Sequence, residues 1–395
     1  MPFAAALSEH PVPAHAVGEV AGEILDRFGE RPDLAMVFVT PPFAGALEDA
    51  VGAIDDILHP LVLLGCAAES IVGPHREVER TAAVSLFAAR TGPLLPIALT
   101  AAGAVHDPGG DEFGPDMVIK GWPDEIAFAP QALVLVADPF SFPAEHFLSW
   151  VESRHPGLPV IGGVASAAQA AGGNRLAIGR HVRTSGAVGA LLGPGVGVET
   201  VVSQGCRPFG QPLVVTKSEG NVIFELAGTP ALERLVAQAH GALTEAEVSL
   251  LEMGGLQLGR VIDEHRESFG RGDFLLRSVL GADRRTGALA VGDVVPVGTT
   301  VQFHLRDART ADEDLHVLLK GHAAEGALVF TCNGRGSRLF EEPHHDARVM
   351  TDVLGPLPLA GFFAAGEIGP VGGHNFIHGF TASMALLRDA PDGSV

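Results

Sequence analysis

The sequence predicts an α/β protein of the α+β type, with two domains whose mixed, largely antiparallel sheets are flanked by helices. Three observations lead to this prediction. Amphipathic helical stripes alternate with buried strand-like runs, several of these runs follow one another with only Gly- and Pro-rich links, and a hairpin followed by a helix start divides the chain. Because parallel strands need a crossover of about a dozen residues, closely spaced strands favour antiparallel pairing.

The first elements are predicted as helix, strand, helix and strand. Apolar residues from Val17 to Phe28 recur at helical spacing and stop at Gly29, ahead of the apolar run 34–39. A second stripe, from Leu47 to Leu58, leads into the run 61–66. Further strand-like runs follow at residues 82–88, 95–100, 132–137, 160–164 and 187–192.

A division between two halves is predicted near residue 227. The segment 213–226 has turn residues at its centre, which indicates a hairpin, and Thr229 with Pro230 then offers a helix N-cap and a first-turn proline. Capping boxes, at Thr244 with Glu247 and at Thr310 with Glu313, predict two further helix starts. We therefore predict domains over residues 15–227 and 228–388, the second with strands at 273–280, 289–291 and 300–305.

Composition argues against several classes of partner. Forty-seven acidic against 26 basic side chains give a formal net charge of −21, which repels nucleic acid and anionic lipid. The longest uncharged stretches are interrupted by Gly, Pro, Ser or Gln, so no membrane insertion is expected. The start of the chain lacks the basic residues of a signal peptide, and the three cysteines do not form a disulfide framework. A cytoplasmic protein with free thiols is expected.

The residues that carry chemistry lie mainly in two glycine-rich segments. In the first, a strand-like run enters a loop with the sequence Cys332-Asn333-Gly334-Arg335-Gly336. Converging backbone N–H groups and an arginine fork suit an anion such as a carboxylate. In the second, Glu367 lies between Gly366 and Gly369. Three strand-like runs enter similar loops of small residues, at 65–69, 162–166 and 364–368, and this similarity raises the hypothesis of a remote internal duplication.

The two glycine-rich segments resemble the C-terminal domain of FIST proteins, which carry a strand-borne Cys-x-Gly-Arg-Gly segment and, near their end, a Gly-Glu-Ile-Gly segment. Residues 64–69 and 160–163 are similar to the corresponding segments of the N-terminal FIST domain. The resemblance implies a sensory module for small molecules such as amino acids, with no catalytic reaction and no cofactor. It adds the N-terminal candidate ligand contacts Cys66, Glu69, Gly162 and Gly163. No length remains for an output domain, so a separate signalling protein is the expected partner.

The ligand is hypothesised to be an amino acid or a related small carboxylate. Arg335, Asn333 and loop N–H groups would hold its anionic end, and Glu367 its cationic end. The alternative for Arg335 is a structural tie to backbone carbonyls or to Glu341, and for Glu367 it is a carboxylate that fixes the loop or a helix start.

Two other functions stay open. One is an enzyme with Cys332 as nucleophile and His374 or His378 as base, and the other is a plain interaction scaffold. Acidic and histidine residues at 341–346 supply metal-ligand types, but their spacing matches no metal site. Asp346 is interpreted as the N-cap of a following helix, and Cys66 and Cys206 as structural cysteines.

Overall fold

The computed structural model describes residues 2–102, 118–266, 268–270 and 272–389. Contacts within the chain group it into two compact units. The first spans residues 1–202, 316–377 and 381–395, and the second spans residues 203–315 and 378–380. Both halves of the sequence therefore contribute to the first unit, and the division near residue 227 stays a prediction about the sequence.

The first unit begins with a long succession of strands and three helices. The helices are α1 (Pro13–Phe28), α2 (Leu47–Leu58) and α3 (Ala144–Arg154). The strands are β1 (Phe3–Ser8), β2 (Leu34–Val39), β3 (Val62–Ala67), β4 (Ser70–Gly73), β5 (Arg76–Glu79), β6 (Val84–Ala89), β7 (Leu94–Ala102), β8 (Val118–Lys120), β9 (Ala132–Ala137), β10 (Val160–Val164), β11 (Leu176–Ile178), β12 (His181–Arg183), β13 (Ala187–Leu192) and β14 (Val196–Ser203).

The second unit is built on one antiparallel sheet. Its strands are β15 (Cys206–Glu219), β16 (Val222–Leu226), β17 (Thr229–Pro230), β18 (Leu256–Val261), β19 (Phe274–Asp283), β20 (Ala288–Val291) and β21 (Thr300–Arg306). They lie in the order β15-β21-β18-β19-β20-β16-β17. The helices are α4 (Ala231–Ala242), α5 (Glu245–Leu250) and α6 (Ala308–Leu319), and α6 follows β21 in the chain. Leu235 and Ala239 on α4 pack into the apolar core of this unit.

The chain then returns to the first unit. The remaining strands are β22 (Gly326–Cys332), β23 (Leu359–Ala364), β24 (Glu367–Val371), β25 (His374–His378) and β26 (Ala382–Asp389), and α7 (His345–Leu354) connects β22 with β23. None of the helices among the described residues has the length and apolar character needed to span a bilayer.

Three sheets of the first unit share one arrangement. Their orders are β1-β6-β2-β3-β11-β12, β25-β24-β10-β9-β13-β7-β8 and β14-β26-β22-β23-β4-β5. Each contains a parallel pair, namely β2 with β3, β9 with β10 or β22 with β23. In each case the neighbouring strand on either side of the pair is antiparallel to it. The mixed sheets and the α+β class predicted from the sequence are confirmed.

The parallel pairs explain why three loops look alike in the sequence. The second strand of each pair, β3, β10 or β23, follows a helix and enters one of the three small-residue loops. A crossover helix lets the chain run back and add a parallel strand, so the three loops occupy equivalent places in three strand–helix–strand units.

Most predicted elements are confirmed, but two helix starts differ. The capping box at Thr244 is present, with Glu247 N–H donating to the Thr244 hydroxyl. At α6 the cap is Asp307 instead of Thr310, because its carboxylate accepts both the N–H and the hydroxyl of Thr310 at 2.8 Å. Thr229 does not cap α4, because it pairs with Leu226 in the sheet and Pro230 takes the cap position.

Candidate functional site

Segments from both halves of the sequence meet in the first unit. Strand β10 pairs antiparallel with β24, so that Gly163 lies opposite Glu367. The N–H of Val164 donates to the carbonyl of Gly366 at 2.8 Å, and the N–H of Ala365 donates to the carbonyl of Val164 at 2.9 Å. The structure therefore brings the predicted residues at 162–163 and 366–367 together through backbone pairing.

Close packing accounts for the glycines of this pairing. A Cβ at Gly162 would lie 1.8 Å from the carbonyl oxygen of Leu135, and one at Gly163 would lie 2.9 Å from the Cβ of Ala364. A Cβ at Gly369 would lie 2.3 Å from the Ser383 hydroxyl. These glycines are buried and allow strands to approach each other, a structural role that does not depend on a ligand.

The Cys332 loop is a tight turn anchored on the neighbouring strand. Arg335 N–H donates to the carbonyl of Cys332 at 2.8 Å, and Asn333 N–H donates to the carbonyl of Ala364 at 2.9 Å. Gly336 has φ +58°, and a Cβ there would lie 2.7 Å from both a carboxylate oxygen of Glu79 and the ring of Phe363. Only glycine fits this position without displacing a neighbour.

The side chain of Arg335 is fully buried and pairs with Asp346. Nε donates to Oδ2 at 2.8 Å and Nη2 donates to Oδ1 at 2.7 Å. Burial opposes both charges, but the guanidinium and its hydrogen bonds outweigh burial and hold the pKa of Asp346 well below its usual range. The carboxylate in turn raises the pKa of Arg335 against the opposing effect of burial.

This pair alters two interpretations made from the sequence. The face of Arg335 that could hold a ligand carboxylate is already occupied, and its structural partner is Asp346, not Glu341. Asp346 is not the N-cap of α7: His344 takes that position and the helix begins at His345. A buried guanidinium needs a counter-charge, and this requirement overrides the local capping preference of Asp346.

Glu367 is also fully buried. Its Oε2 accepts the N–H and the hydroxyl of Thr381 at 3.1 and 2.9 Å, and the carboxyl is hydrogen-bonded to the Cys332 thiol. Burial raises the pKa of Glu367 to about 8, and these hydrogen bonds and the Arg335 charge offset it only in part. At neutral pH the carboxyl is mostly protonated, so it can donate a hydrogen bond but is poorly suited to pair with a ligand ammonium group.

Glu77 is a second buried acid that sequence reasoning missed. Burial and then the charge of Asp346 raise the pKa of Glu77 to about 8, while one carboxyl oxygen accepts the N–H of Ala347 at 3.0 Å. Glu77 lies in β5, where three of the four residues are charged, so the sequence does not distinguish it as a buried acid. We call Glu77, Arg335, Asp346 and Glu367 the buried cluster.

Several polar atoms here have no hydrogen-bond partner within the described residues. They are Nη1 of Arg335, Oε1 of Glu367, Oδ1 of Asn333 and Oε2 of Glu77. Buried polar atoms in proteins are nearly always paired, so each of these four atoms requires a structural or functional explanation.

A more accessible group of polar side chains lies beside this loop. Arg338 Nη2 donates to Glu69 at 2.6 Å, and its Nη1 donates to the carbonyl of Asn333 at 2.9 Å. The N–H of Glu69 donates to the Ser166 hydroxyl at 2.9 Å, and that hydroxyl donates to the carbonyl of Phe363. We call Glu69, Ser166, Asn333 and Arg338 the rim cluster. It joins all three small-residue loops to the Cys332 loop.

Glu69 and Asn333 were among the candidates from the sequence, whereas Arg338 and Ser166 were not. Arg338 lies three residues beyond Arg335, so the loop itself contained a signal for it. Ser166 ends the second small-residue loop, and its hydroxyl was the available signal there.

The three cysteines differ in accessibility. Cys332 is half-buried, and its sulfur accepts the N–H of Gly334 at 3.3 Å. Cys66 lies in the apolar core of the first unit, where burial raises the pKa of its thiol, and this placement offers no contact to a polar ligand. Cys206 is buried as well. Of the two histidines considered as a base for Cys332, His374 pairs with Glu152 at 3.3 Å and His378 is buried.

A metal site was not predicted from the sequence. In the part of the chain that the structure describes, no three His, Cys, Asp or Glu side chains are grouped so as to hold a metal ion.

Comparison with known proteins gives two family matches and full-length relatives. The model of the FIST N domain matches residues 33–229, and that of the FIST C domain matches residues 231–370. The uncharacterized protein Rv0628c of Mycobacterium tuberculosis is 43% identical over 386 residues, which cover 95% of this chain and 94% of that protein. The uncharacterized protein Mb0898c of Mycobacterium bovis is 41% identical over 391 residues, covering 96% and 97%.

Proposed function

This chain belongs to the FIST family, whose domains are associated with small-ligand-binding signal transduction, and we propose that it is a sensor with its ligand site at the rim cluster. The ligand in this proposal is an amino acid or a related small amphoteric carboxylate. Arg338 takes its carboxylate and Glu69 its ammonium group.

The observation that carries the proposal is the Arg338–Glu69 ion pair. The Arg338 and Glu69 side chains are 45% and 25% exposed, and they come from loops in different halves of the sequence. An exposed ion pair contributes only about 0–1 kcal/mol, so separating its members costs little. A ligand with one positive and one negative group can replace each partner's lost contact. An anion alone leaves Glu69 with only its longer pair to Arg80, at 3.6 Å, and a cation alone leaves Arg338 without a carboxylate.

The buried cluster holds in place the Cys332 loop, which carries two residues of the rim cluster. The Arg335–Asp346 pair fixes the Cys332 loop against the start of α7. The backbone carbonyl of Asn333 accepts from Arg338, its buried amide oxygen has no hydrogen-bond partner among the described residues, and Gly334 is the half-exposed position that follows. In this proposal Arg335, Gly336, Gly366 and Glu367 position the loop, while Asn333 and Gly334 contact the ligand together with Glu69, Ser166 and Arg338.

The proposal extends to location and output. The three cysteines are free thiols, which is consistent with the reducing cytoplasm. The proposal assigns the readout of the bound state to a separate signalling partner.

A second candidate function is chemistry at Cys332. The favouring observation is that its half-buried thiol receives the Gly334 N–H at 3.3 Å and is hydrogen-bonded to a carboxyl whose pKa burial raises to about 8. Glu367, rather than His374, would then be the acid–base group, because His374 is engaged with Glu152. This candidate requires Cys332 itself, whereas the sensor does not.

A thermal-shift panel tests the proposed function. The standard amino acids are compared with matched single-charge compounds, such as alanine with propionate and propylamine, because ligand binding to the native state raises the melting temperature. We expect a saturable shift from an amino acid that Arg338→Gln and Glu69→Gln remove and Cys332→Ala preserves. No shift from any amino acid at millimolar concentration would contradict the sensor proposal, and loss of the shift in Cys332→Ala alone would favour chemistry at that thiol.

Arg348→Gln is the matched control. Arg348 forms another exposed pair with a glutamate, Glu342, and its side chain is 45% exposed, the same fraction as that of Arg338. The two variants remove the same charge from the surface, so only a specific contact at Arg338 makes their ligand responses differ.

A further inference from the structure

Both tryptophans of the chain line one cavity in the first unit. Trp122 lies between β8 and β9, and Trp150 lies on α3. Their ring centroids are 5.3 Å apart at an interplanar angle of 70°. The cavity measures about 710 Å³, within the range of small-molecule sites, and Phe128, Asp124, Arg154 and His155 also line it.

The aromatic walls of this cavity are held in place by packing. Trp150 stacks on the fully buried Phe147 with centroids 5.9 Å apart and planes 17° apart, and Trp122 packs 6.0 Å from the same ring. Trp122 also lies 5.2 Å from His155. Both indoles stay half-buried although they are the largest apolar side chains in the protein. Rigid aromatic side chains that line a cavity bind a flat ring at a small entropic cost.

The charges at the cavity restrict what such a ring can carry. The guanidinium of Arg154 lies 4.3 Å over the Trp150 ring, and among the described residues it makes no ion pair or hydrogen bond. Asp124, the acidic residue of the lining, likewise has no ion pair within the part of the chain that is described. Arg154 can therefore offer its donors to an anionic group stacked beside Trp150, while Asp124 disfavours a second negative charge.

We propose that this cavity is a second ligand site, which binds a planar aromatic molecule with a single anionic substituent. The ring packs against the side of the Trp122–Trp150 pair that lines the cavity, and Arg154 donates to the anionic group. The cavity shares no residue with the rim cluster, so the site is independent of the proposed amino-acid site.

The two tryptophans make the test direct. Protein labelled with 5-fluorotryptophan has fluorine NMR signals from Trp122 and Trp150 alone, and the variants Trp122→Phe and Trp150→Phe assign them. We expect 2-naphthoate to shift both signals in a saturable manner. Cyclohexanecarboxylate, which has the charge without the flat ring, should bind about tenfold more weakly or worse. Absence of a shift at millimolar 2-naphthoate, or equal binding of the two acids, would overturn the proposal.

Variants of two exposed charges separate a specific site from adventitious stacking. Arg154→Gln should weaken 2-naphthoate binding about fivefold or more while leaving the affinity for the neutral 2-naphthalenemethanol unchanged. Asp124→Asn should strengthen 2-naphthoate binding, because it removes a like charge. Arg348→Gln, a change at an exposed arginine outside both proposed sites, is the control and should leave both affinities unchanged. Equal binding of 2-naphthoate to Arg154→Gln and to the parent protein would rule out the assigned role of Arg154 and with it the proposal.

Discussion

Arg335 and Asp346 form a bidentate ion pair whose side chains are 0% and 1% exposed. The pair joins the loop after β22 to the first turn of α7, and Thr331 and His345 add hydrogen bonds to the same carboxylate. The arginine of the Cys-x-Gly-Arg-Gly segment is thus part of the internal structure of the loop, and it is the exposed Arg338 that contacts the ligand in the proposed function.

Breaking this pair should destabilise the protein strongly. Arg335→Met leaves the Asp346 carboxylate buried without its partner, and such a loss costs about 3–5 kcal/mol. The double variant Arg335→Met with Asp346→Leu should recover part of that loss, because no charge then stays buried alone. Urea unfolding followed by circular dichroism measures both, and a cost below about 1 kcal/mol for Arg335→Met would contradict a buried charged pair.

The protonation of Glu367 should appear in the pH dependence of stability. The folded protein holds this proton up to about pH 8, whereas the unfolded chain releases it near 4.5. The parent protein therefore loses stability from this group as pH rises between those values, by up to about 1.4 kcal/mol per pH unit. Glu367→Gln cannot titrate, so its stability relative to the parent should rise through this window and level off above it. A difference that stays constant with pH would show that the carboxyl is not neutral.

Gly336 should not tolerate a side chain. Alanine there would have a positive φ and would meet Glu79 and Phe363 at 2.7 Å. Gly372 also has a positive φ, +61°, but a Cβ there would meet nothing within 4 Å, so Gly372→Ala measures the backbone cost alone. We expect the free energy of unfolding of Gly336→Ala to be about 1–3 kcal/mol lower than that of Gly372→Ala. Equal stabilities of the two variants would mean that the loop shifts freely.

Cys332 should be the first cysteine to react with iodoacetamide in the native protein. It is half-buried, whereas Cys66 and Cys206 are buried and burial raises the pKa of the Cys66 thiol. Mass spectrometry of the alkylated protein should therefore find the first adduct at Cys332, with Cys66 modified only on unfolding. An amino acid that binds the rim cluster should slow this reaction because Cys332 adjoins Asn333. Early alkylation of Cys66 would be inconsistent with its place in the core.

Local patterns in the sequence determine many elements of the fold. The stripe of α1 and the apolar runs of β2 and β3 could be predicted because helical and strand periodicities are set by neighbouring residues. Strand β1 and helix α3 were missed. Half of the segment 3–8 is alanine and it has no alternation, and the stripe of α3 is interrupted by polar residues.

The candidate site depends on pairings that no local pattern encodes. Strand β4 joins β23 from the other half of the sequence, and β10 joins β24 in the same way. The loop motif indicated where the site lies, but which arginine stays accessible depends on Asp346, whose sequence context is that of a helix cap. The burial that keeps Glu367 and Glu77 protonated likewise arises only in the folded chain.

Isothermal titration calorimetry of three proteins tests the central proposal most directly. The parent, Arg338→Gln and Arg348→Gln are titrated with the amino acid that gives the largest thermal shift. We expect Arg348→Gln to bind like the parent and Arg338→Gln to bind about tenfold more weakly or worse, because a charge-assisted contact to the ligand carboxylate is lost. Equal affinities of all three proteins would contradict a ligand site at the rim cluster.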